Sequence, residues 1–333
     1  MTQTSAAPPA PVPSTRSPRA LLRAVAIASC LPYMALKAAW VAGSRIGVPD
    51  GSVLLDHPTT MAVANAGTLL MDGAVVVLAL LLTRPWGTRV PAWLLALPMW
   101  TATGLLLPIM AGYPLQLLVG ALGGETTGGG GASRPFLDEW VFGVVYTGFI
   151  VQGLALGTLF ALYTRDRWGH LWQGTLRDLP DSPTAPALRA GAVAASLLAL
   201  VPGLLHVLWA CGVTAGLSQD RIAERTSGFH VLEAVYALFV AVGVAGVLLL
   251  AFRRSALPLW VPLALGWGGS GATACWGGWM SVGALAGNDD LGQQPTTAMV
   301  LIYVVQMLVG TLMVTAGAYF LTERAAGTRG APA

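Results

Sequence analysis

Eight apolar stretches set the limits of what this chain can fold into. They lie at approximately 21–43, 59–82, 91–111, 137–163, 189–213, 229–252, 257–280 and 297–321. As helices, each is long enough to cross the roughly 30 Å hydrocarbon core of a bilayer. That interior offers no water to backbone N–H and C=O groups, so a spanning segment must satisfy them within itself, as a helix does. Charge agrees with this reading: only 10% of the residues are Asp, Glu, Lys or Arg, against about 25% in a soluble domain. The sequence therefore predicts an all-α integral membrane protein of about eight transmembrane helices, with the lipid bilayer as its first partner. Residues 112–122 are also apolar but short, and read as an interfacial or re-entrant piece.

The polar segments between the stretches are sorted by charge. Counting alternate segments from the N-terminus, thirteen arginines, from Arg16, Arg19 and Arg23 to Arg324 and Arg329, fall in one set. Only Arg45, Arg134, Arg221 and Arg225 fall in the other. That second set holds the acids Asp50, Asp56, Glu125, Asp138, Glu139, Asp220, Glu224, Asp289 and Asp290. Cytoplasmic loops collect Lys and Arg, so both termini are expected in the cytoplasm. Residues 1–18, rich in Pro, Ala, Ser and Thr, read as a disordered cytoplasmic tail. The apolar run after Arg23 lacks an A-x-A cleavage site and reads as a retained first helix. A second cytoplasmic tail is expected over 325–333.

The two halves resemble one another. VPAWLLALPMWTATG from Val90 and LPLWVPLALGWGGSG from Leu257 align without a gap, matching Pro91, Trp93, Trp100 and Gly104 to Pro258, Trp260, Trp267 and Gly271. Pro32, Lys37 and Trp40 likewise parallel Pro202, His206 and Trp209, with one residue of slippage. We expect a parallel 4+4 internal repeat, with four-helix units at 19–170 and 189–324 and a cytoplasmic linker at 171–188.

Polar groups inside a span cost about 2.5–3.5 kcal/mol on insertion scales and need a partner or a wet cavity. Lys37 is the only lysine in the chain. It shares a helix face with Tyr33 and Trp40 by i, i+4, i+7 spacing, and Asn65 and Asp72 on the second helix lie within its reach. These residues read either as a Lys37–Asn65–Asp72 clamp or as the lining of a polar cavity. In the second half, His206 and Trp209 lie on the fifth span, and His230, Glu233 and Tyr236 near the outer start of the sixth. His230 and Glu233 stand at i, i+3, and a His–Glu pair at matched depth reads either as an interhelical hydrogen bond or as a proton donor; His206, His230 and Glu233 lack a known metal-ligand spacing. Gln152 and Gln306 read as helix bridges. Most of the 12 tryptophans form interfacial belts; Trp100 and Trp267 sit deeper and are candidates for a central site or for helix packing. Cys30, Cys211 and Cys275 lack any paired spacing, and no metal site is expected. The stretch GGETTGGGGAS at 123–133 reads as a flexible loop, because it lacks the Lys-Ser/Thr of a phosphate loop.

The stretches CLPYMALKAAWVAG and LLTRPWGTRVPAWLLALPMWTATGLLLP resemble a family of multi-pass membrane proteins of high-GC Gram-positive bacteria. The near-absence of lysine and the Ala, Gly and Pro richness fit that origin, which implies a bacterial cell membrane. In size and helix number the chain is also similar to bacterial membrane-bound terpene cyclases that act on indole-linked sesquiterpenes. That resemblance implies an intramembrane enzyme that protonates a lipophilic isoprenoid. The aspartate-rich DDxxD signature of diphosphate-ionising enzymes is absent, and Asp289-Asp290 is a loop pair. On this reading Asp72, Glu233 and His206 are the candidate catalytic residues. Tyr33, Lys37, Trp40, Asn65, Trp100, Trp209, Tyr236 and Trp267 are candidates to line the substrate site. The expected ligand is a lipophilic small molecule, with no cofactor, no metal and no nucleic-acid partner. A small-molecule transporter or exporter built from two four-helix units, and a non-catalytic membrane partner or immunity protein, are the alternatives.

Overall fold

The computed structural model describes residues 17–56, 58–125, 137–180, 182–223, 225–286 and 294–329. The tail at 1–16, most of the glycine-rich loop, the last four residues, and Arg16, Arg134, Glu224, Asp289 and Asp290 lie outside the described residues. Eight long helices and one short one make up the fold: α1 (Pro18–Val41), α2 (Pro58–Leu81), α3 (Ala92–Ala121), α4 (Glu139–Trp168), α5 (Ala185–Ala210), the short α6 (Gln219–Ala223), α7 (Ser227–Phe252), α8 (Trp260–Ala286) and α9 (Thr297–Arg329). Among the described residues there is no β-strand, only one isolated bridge between Thr175 and Pro258.

Seven of the long helices are both long and apolar enough to cross a membrane. The eighth, α8, has the length, but seven glycines and four tryptophans in its 27 residues lower its mean hydropathy. The outer faces carry many exposed large apolar side chains. On α5, for example, Leu197, Leu200, Val201, Leu204 and Leu208 are all exposed. A helix apolar on its exposed side suits lipid rather than water, so the bundle is membrane-embedded.

One sequence expectation is corrected here. Residues 112–122 are not a separate interfacial piece; α3 runs unbroken from Ala92 to Ala121 through Pro98, Pro108 and Pro114. A proline removes one helix hydrogen bond but does not end a helix that neighbouring helices support within a membrane.

Close packing depends on small residues. A side chain at Gly243 or Gly246 on α7 would strike the backbone of α8 near Gly269 and Gly266. One at Gly310 on α9 would strike Ser270 and Ala274. Lipid tails are as apolar as leucine, so helices associate in a membrane by such close backbone approach. α7, α8, α9 and α5 accordingly form a closed ring. In the first half α1 packs on α2 and α4, whereas α3 leans onto α8 and α7 and barely touches α2. The positions in α3 that align with Gly266 and Gly269 are Met99 and Ala102. The α3–α8 crossing places Gly104 against Gly271, the very residues that align in sequence.

The two ends of the bundle differ. One gathers the start of α1, the ends of α4 and α9, and the connections on either side of them. There Arg19 pairs with Asp166, Arg167 donates to the Val90 carbonyl at 2.9 Å, and Arg324 donates to the Leu171 carbonyl at 3.3 Å. The other end carries the turns after α1 and α5, which are built alike. Trp40 Nε1 donates to the Ile46 carbonyl and Trp209 Nε1 to the Ala215 carbonyl, at 2.7 and 2.9 Å. Gly43 and Gly212 both follow in the left-handed region, with φ of 88° and 93°.

Candidate functional site

Each half brings a basic and an acidic side chain together. In the first half, Lys37 on α1 meets Asp72 on α2, Nζ to Oδ2 2.6 Å. One turn before Lys37, the Tyr33 hydroxyl donates to Gln152 Oε1 on α4. The ammonium lies 5.2 Å from the Tyr33 ring centroid and 5.8 Å from that of Phe149. Lys37 and Asp72 are buried, and neither lines the cavity described next.

In the second half, His206 on α5 meets Glu233 on α7, Nδ1 to Oε2 2.5 Å. Gln306 Nε2 on α9 lies 2.6 Å from His206 Nε2. All three are buried, yet they open on a cavity of about 260 Å³. Its walls are aromatic. Trp209 stands edge-on to the His206 ring with centroids 5.4 Å apart, and Tyr236 tilts against the same ring at 5.4 Å. Trp276 on α8 lies 5.8 Å beyond Tyr236. Tyr113 on α3 and Tyr146 on α4, 4.8 Å apart, complete the wall from the first half, and Tyr303 from α9. The hydroxyls of these four tyrosines make no hydrogen bond to any described residue. They are donors and acceptors left for the contents of the cavity.

The hydrogen bonds of this trio define a place to hold a proton. With the Gln306 amide N–H donating to His206 Nε2, the imidazole carries its proton on Nδ1 and donates it to the Glu233 carboxylate. With the amide turned over, its oxygen accepts from Nε2–H instead, and the imidazole–carboxylate pair holds one proton more. The two orientations are nearly isosteric, so the trio accommodates both states without rearranging the helices.

Of the residues singled out in the sequence, the cavity brings together His206, Glu233, Trp209, Tyr236 and Gln306. The others lie elsewhere. Asn65 does not join a clamp; its Nδ2 donates to the Met61 carbonyl on its own helix at 2.9 Å. Trp40 packs in the turn after α1 with Val48 and Val141. Trp100 donates from Nε1 to Ser270 Oγ across the α3–α8 crossing, at 3.0 Å. Trp267 stacks on Phe160 with centroids 5.1 Å apart, its buried Nε1 without a partner. His230 donates from Nδ1 to the Trp209 carbonyl at 3.0 Å instead of joining Glu233. Among the described residues no three His, Cys, Asp or Glu side chains converge as a metal site would require.

Sequence reasoning missed Tyr113, Tyr146, Tyr303 and Trp276 as wall residues. Spacing held part of the signal: Tyr303 and Gln306, like Tyr113 and Gln116, stand three residues apart and share a helix face. Compared with known proteins, the chain matches no family model, no curated protein and no solved structure.

Proposed function

We propose that the chain is an intramembrane cyclase that protonates an alkene or epoxide of a lipophilic isoprenoid. The observation that carries this is a buried acid–base pair, His206–Glu233, opening on a cavity walled by aromatic rings. In its loaded state the pair gives a proton to an alkene carbon or an epoxide oxygen. Positive charge then develops on the substrate, and neighbouring alkene π electrons close the ring. Trp209, Tyr236 and Trp276 supply aromatic rings whose π faces stabilise that charge, and exclusion of water keeps the cation from being quenched. The cyclised cation finally loses a proton to the same pair. One proton enters and one leaves, so the product is an isomer of the substrate. Glu233 is the acid in this reading because Asp72 is held by Lys37 away from the cavity.

The same reading takes α8 as an eighth span, places both termini in the cytoplasm of a bacterial cell, and treats the halves as a parallel repeat. Three observations support the repeat: the matched turns after α1 and α5, the contact of Gly104 with Gly271, and a base–acid pair in each half. A transporter or exporter is the second reading. One observation favours it: α3 and α4 of the first half and α5, α7, α8 and α9 of the second together wall the cavity, as at a repeat interface.

The deciding experiment is a product assay on detergent-solubilised protein with farnesylated indoles and their epoxides. A same-mass isomer is expected. Glu233→Gln, shown by its melting temperature to be folded, is expected to lower turnover by about 10²-fold or more, the usual range for loss of a general acid. The same loss in a stable Asp72→Asn protein would instead put the acid in the first half. Folded protein that turns over none of these substrates would put transport first.

A further inference from the structure

The mouth of the cavity carries a cation without a partner. Arg221, on the short helix α6, lines the cavity. Its guanidinium makes no hydrogen bond or ion pair with any described residue. The loop that bears it is nevertheless firmly held. Arg225 spends Nε on the Ile222 carbonyl and Nη1 on the Gly212 carbonyl, at 3.3 and 2.7 Å. Thr296 ties the Gly216 carbonyl to the start of α9, and Ser218 Oγ accepts from the Arg221 backbone N–H at 3.4 Å. A fixed loop thus presents one uncommitted guanidinium to an aromatic cavity. In the first half, where the ion pair is sealed, the position aligned with Arg221 through the Trp40–Trp209 match is Ser52.

We propose that Arg221 binds the carboxylate head group of an otherwise lipophilic ligand, whose chain runs inward toward His206 and Glu233. This rests on the cyclase reading of the cavity and names the class of its ligand. A planar guanidinium offers two parallel N–H donors that match the two oxygens of a carboxylate. One cation neutralises one negative charge. Arg225 is the other arginine of this loop, and its bonds to backbone carbonyls tie it to the loop itself, so among the described residues the mouth does not supply the several cations a diphosphate gathers. A preorganised loop adds affinity because little freedom is lost when the ligand arrives. The anchor also sets direction, holding the head at the mouth and sending the far end of the chain to the proton.

The test is equilibrium binding of tritiated farnesoic acid to the full chain in zwitterionic nanodiscs, competed by its methyl ester and by farnesyl phosphate. The ester, which has the same chain without the charge, is expected to compete about tenfold more weakly than the acid, the size of one charge-assisted hydrogen bond. Arg221→Gln is expected to close that gap and Arg221→Lys to close it in part, with melting temperatures confirming that both variants are folded. No saturable binding of the acid, equal competition by acid and ester, or a gap that persists in Arg221→Gln would overturn the proposal. Stronger competition by the phosphate, dependent on Arg221, would overturn the choice of carboxylate. The assay needs no turnover. Acid preference without isomer formation leaves Arg221 as the anchor and removes the cyclase; isomer formation without acid preference does the reverse.

Discussion

Lys37–Asp72 joins α1 to α2 and His206–Glu233 joins α5 to α7, yet the two pairs have different surroundings. The first is capped by the Tyr33 and Phe149 rings; the second faces open space. A buried charge that loses its partner has neither water nor counter-ion, so breaking such a pair costs about 3–5 kcal/mol, whereas replacing both members by apolar residues is often neutral. Lys37→Met alone should therefore lower the unfolding free energy in detergent by about that amount. Lys37→Met combined with Asp72→Leu should recover most of it, as read by thermal or denaturant unfolding of the four-member cycle. Additive losses would show that the two side chains act separately. All four charged groups stood out in the sequence because charges within spans are rare. Which pair opens on a cavity did not stand out, because that depends on Tyr113, Tyr146 and Trp276, brought in from three other helices. Asn65 was misleading for a local reason: an amide within a helix can bond the carbonyl four residues back, and this one does.

Among the elements, α8 departs furthest from a simple apolar rod, and its glycines account for the asymmetry between the halves. Gly269 meets the Gly243 backbone and the Phe239 carbonyl so closely that any added carbon collides with main chain rather than with a side chain that can turn away. Gly269→Val should separate α7 from α8 and cost about 1–3 kcal/mol or more, as overpacking does. Gly283→Ala, on the same helix with open space around it, should be neutral or slightly stabilising, since glycine in a helix costs about 0.5–1 kcal/mol relative to alanine. Melting temperatures of the two variants test the contrast, and equal effects would mean that the glycines serve flexibility rather than contact. At this scale the sequence was informative about where helices lie and less so about where they stop. Apolar periodicity carries no mark of where a proline is tolerated, so the sequence places the end of this span near residue 111, ten residues short of the Ala121 end of α3. The Pro, Trp and Gly residues of α3 and α8 align without a gap. They gave no sign that α3 would leave α2 for α8, because that choice turns on Met99 and Ala102 standing where α8 has glycine.

At the scale of the whole molecule, the cavity mouth lies at the end of the bundle opposite both termini, so the topology decides from which side a ligand enters. The chain supplies its own reporter. Cys211, in the turn after α5, is exposed, whereas Cys30 is buried and Cys275 is partly buried among the helices. Arginines crowd the end that holds the start of α1 and the end of α9, and under the orientation proposed above, from the positive-inside rule, that end faces the cytoplasm. A membrane-impermeant maleimide should therefore label intact cells expressing the chain, and Cys211→Ser should abolish the label. A tag after residue 333 should be reached by antibody only once the cells are permeabilised. The comparison of the two sites also tests α8, whose glycines and tryptophans keep it below the hydropathy of the other spans. If α7, α8 and α9 all cross, Cys211 and the C-terminal tag lie on opposite sides. If α8 does not cross, two crossings remain and both sites report from the same side. Label on Cys211 only after lysis, with the tag reached in intact cells, would keep the eight spans but invert them. The mouth and Arg221 would then face the cytoplasm, and a ligand would have to enter from there.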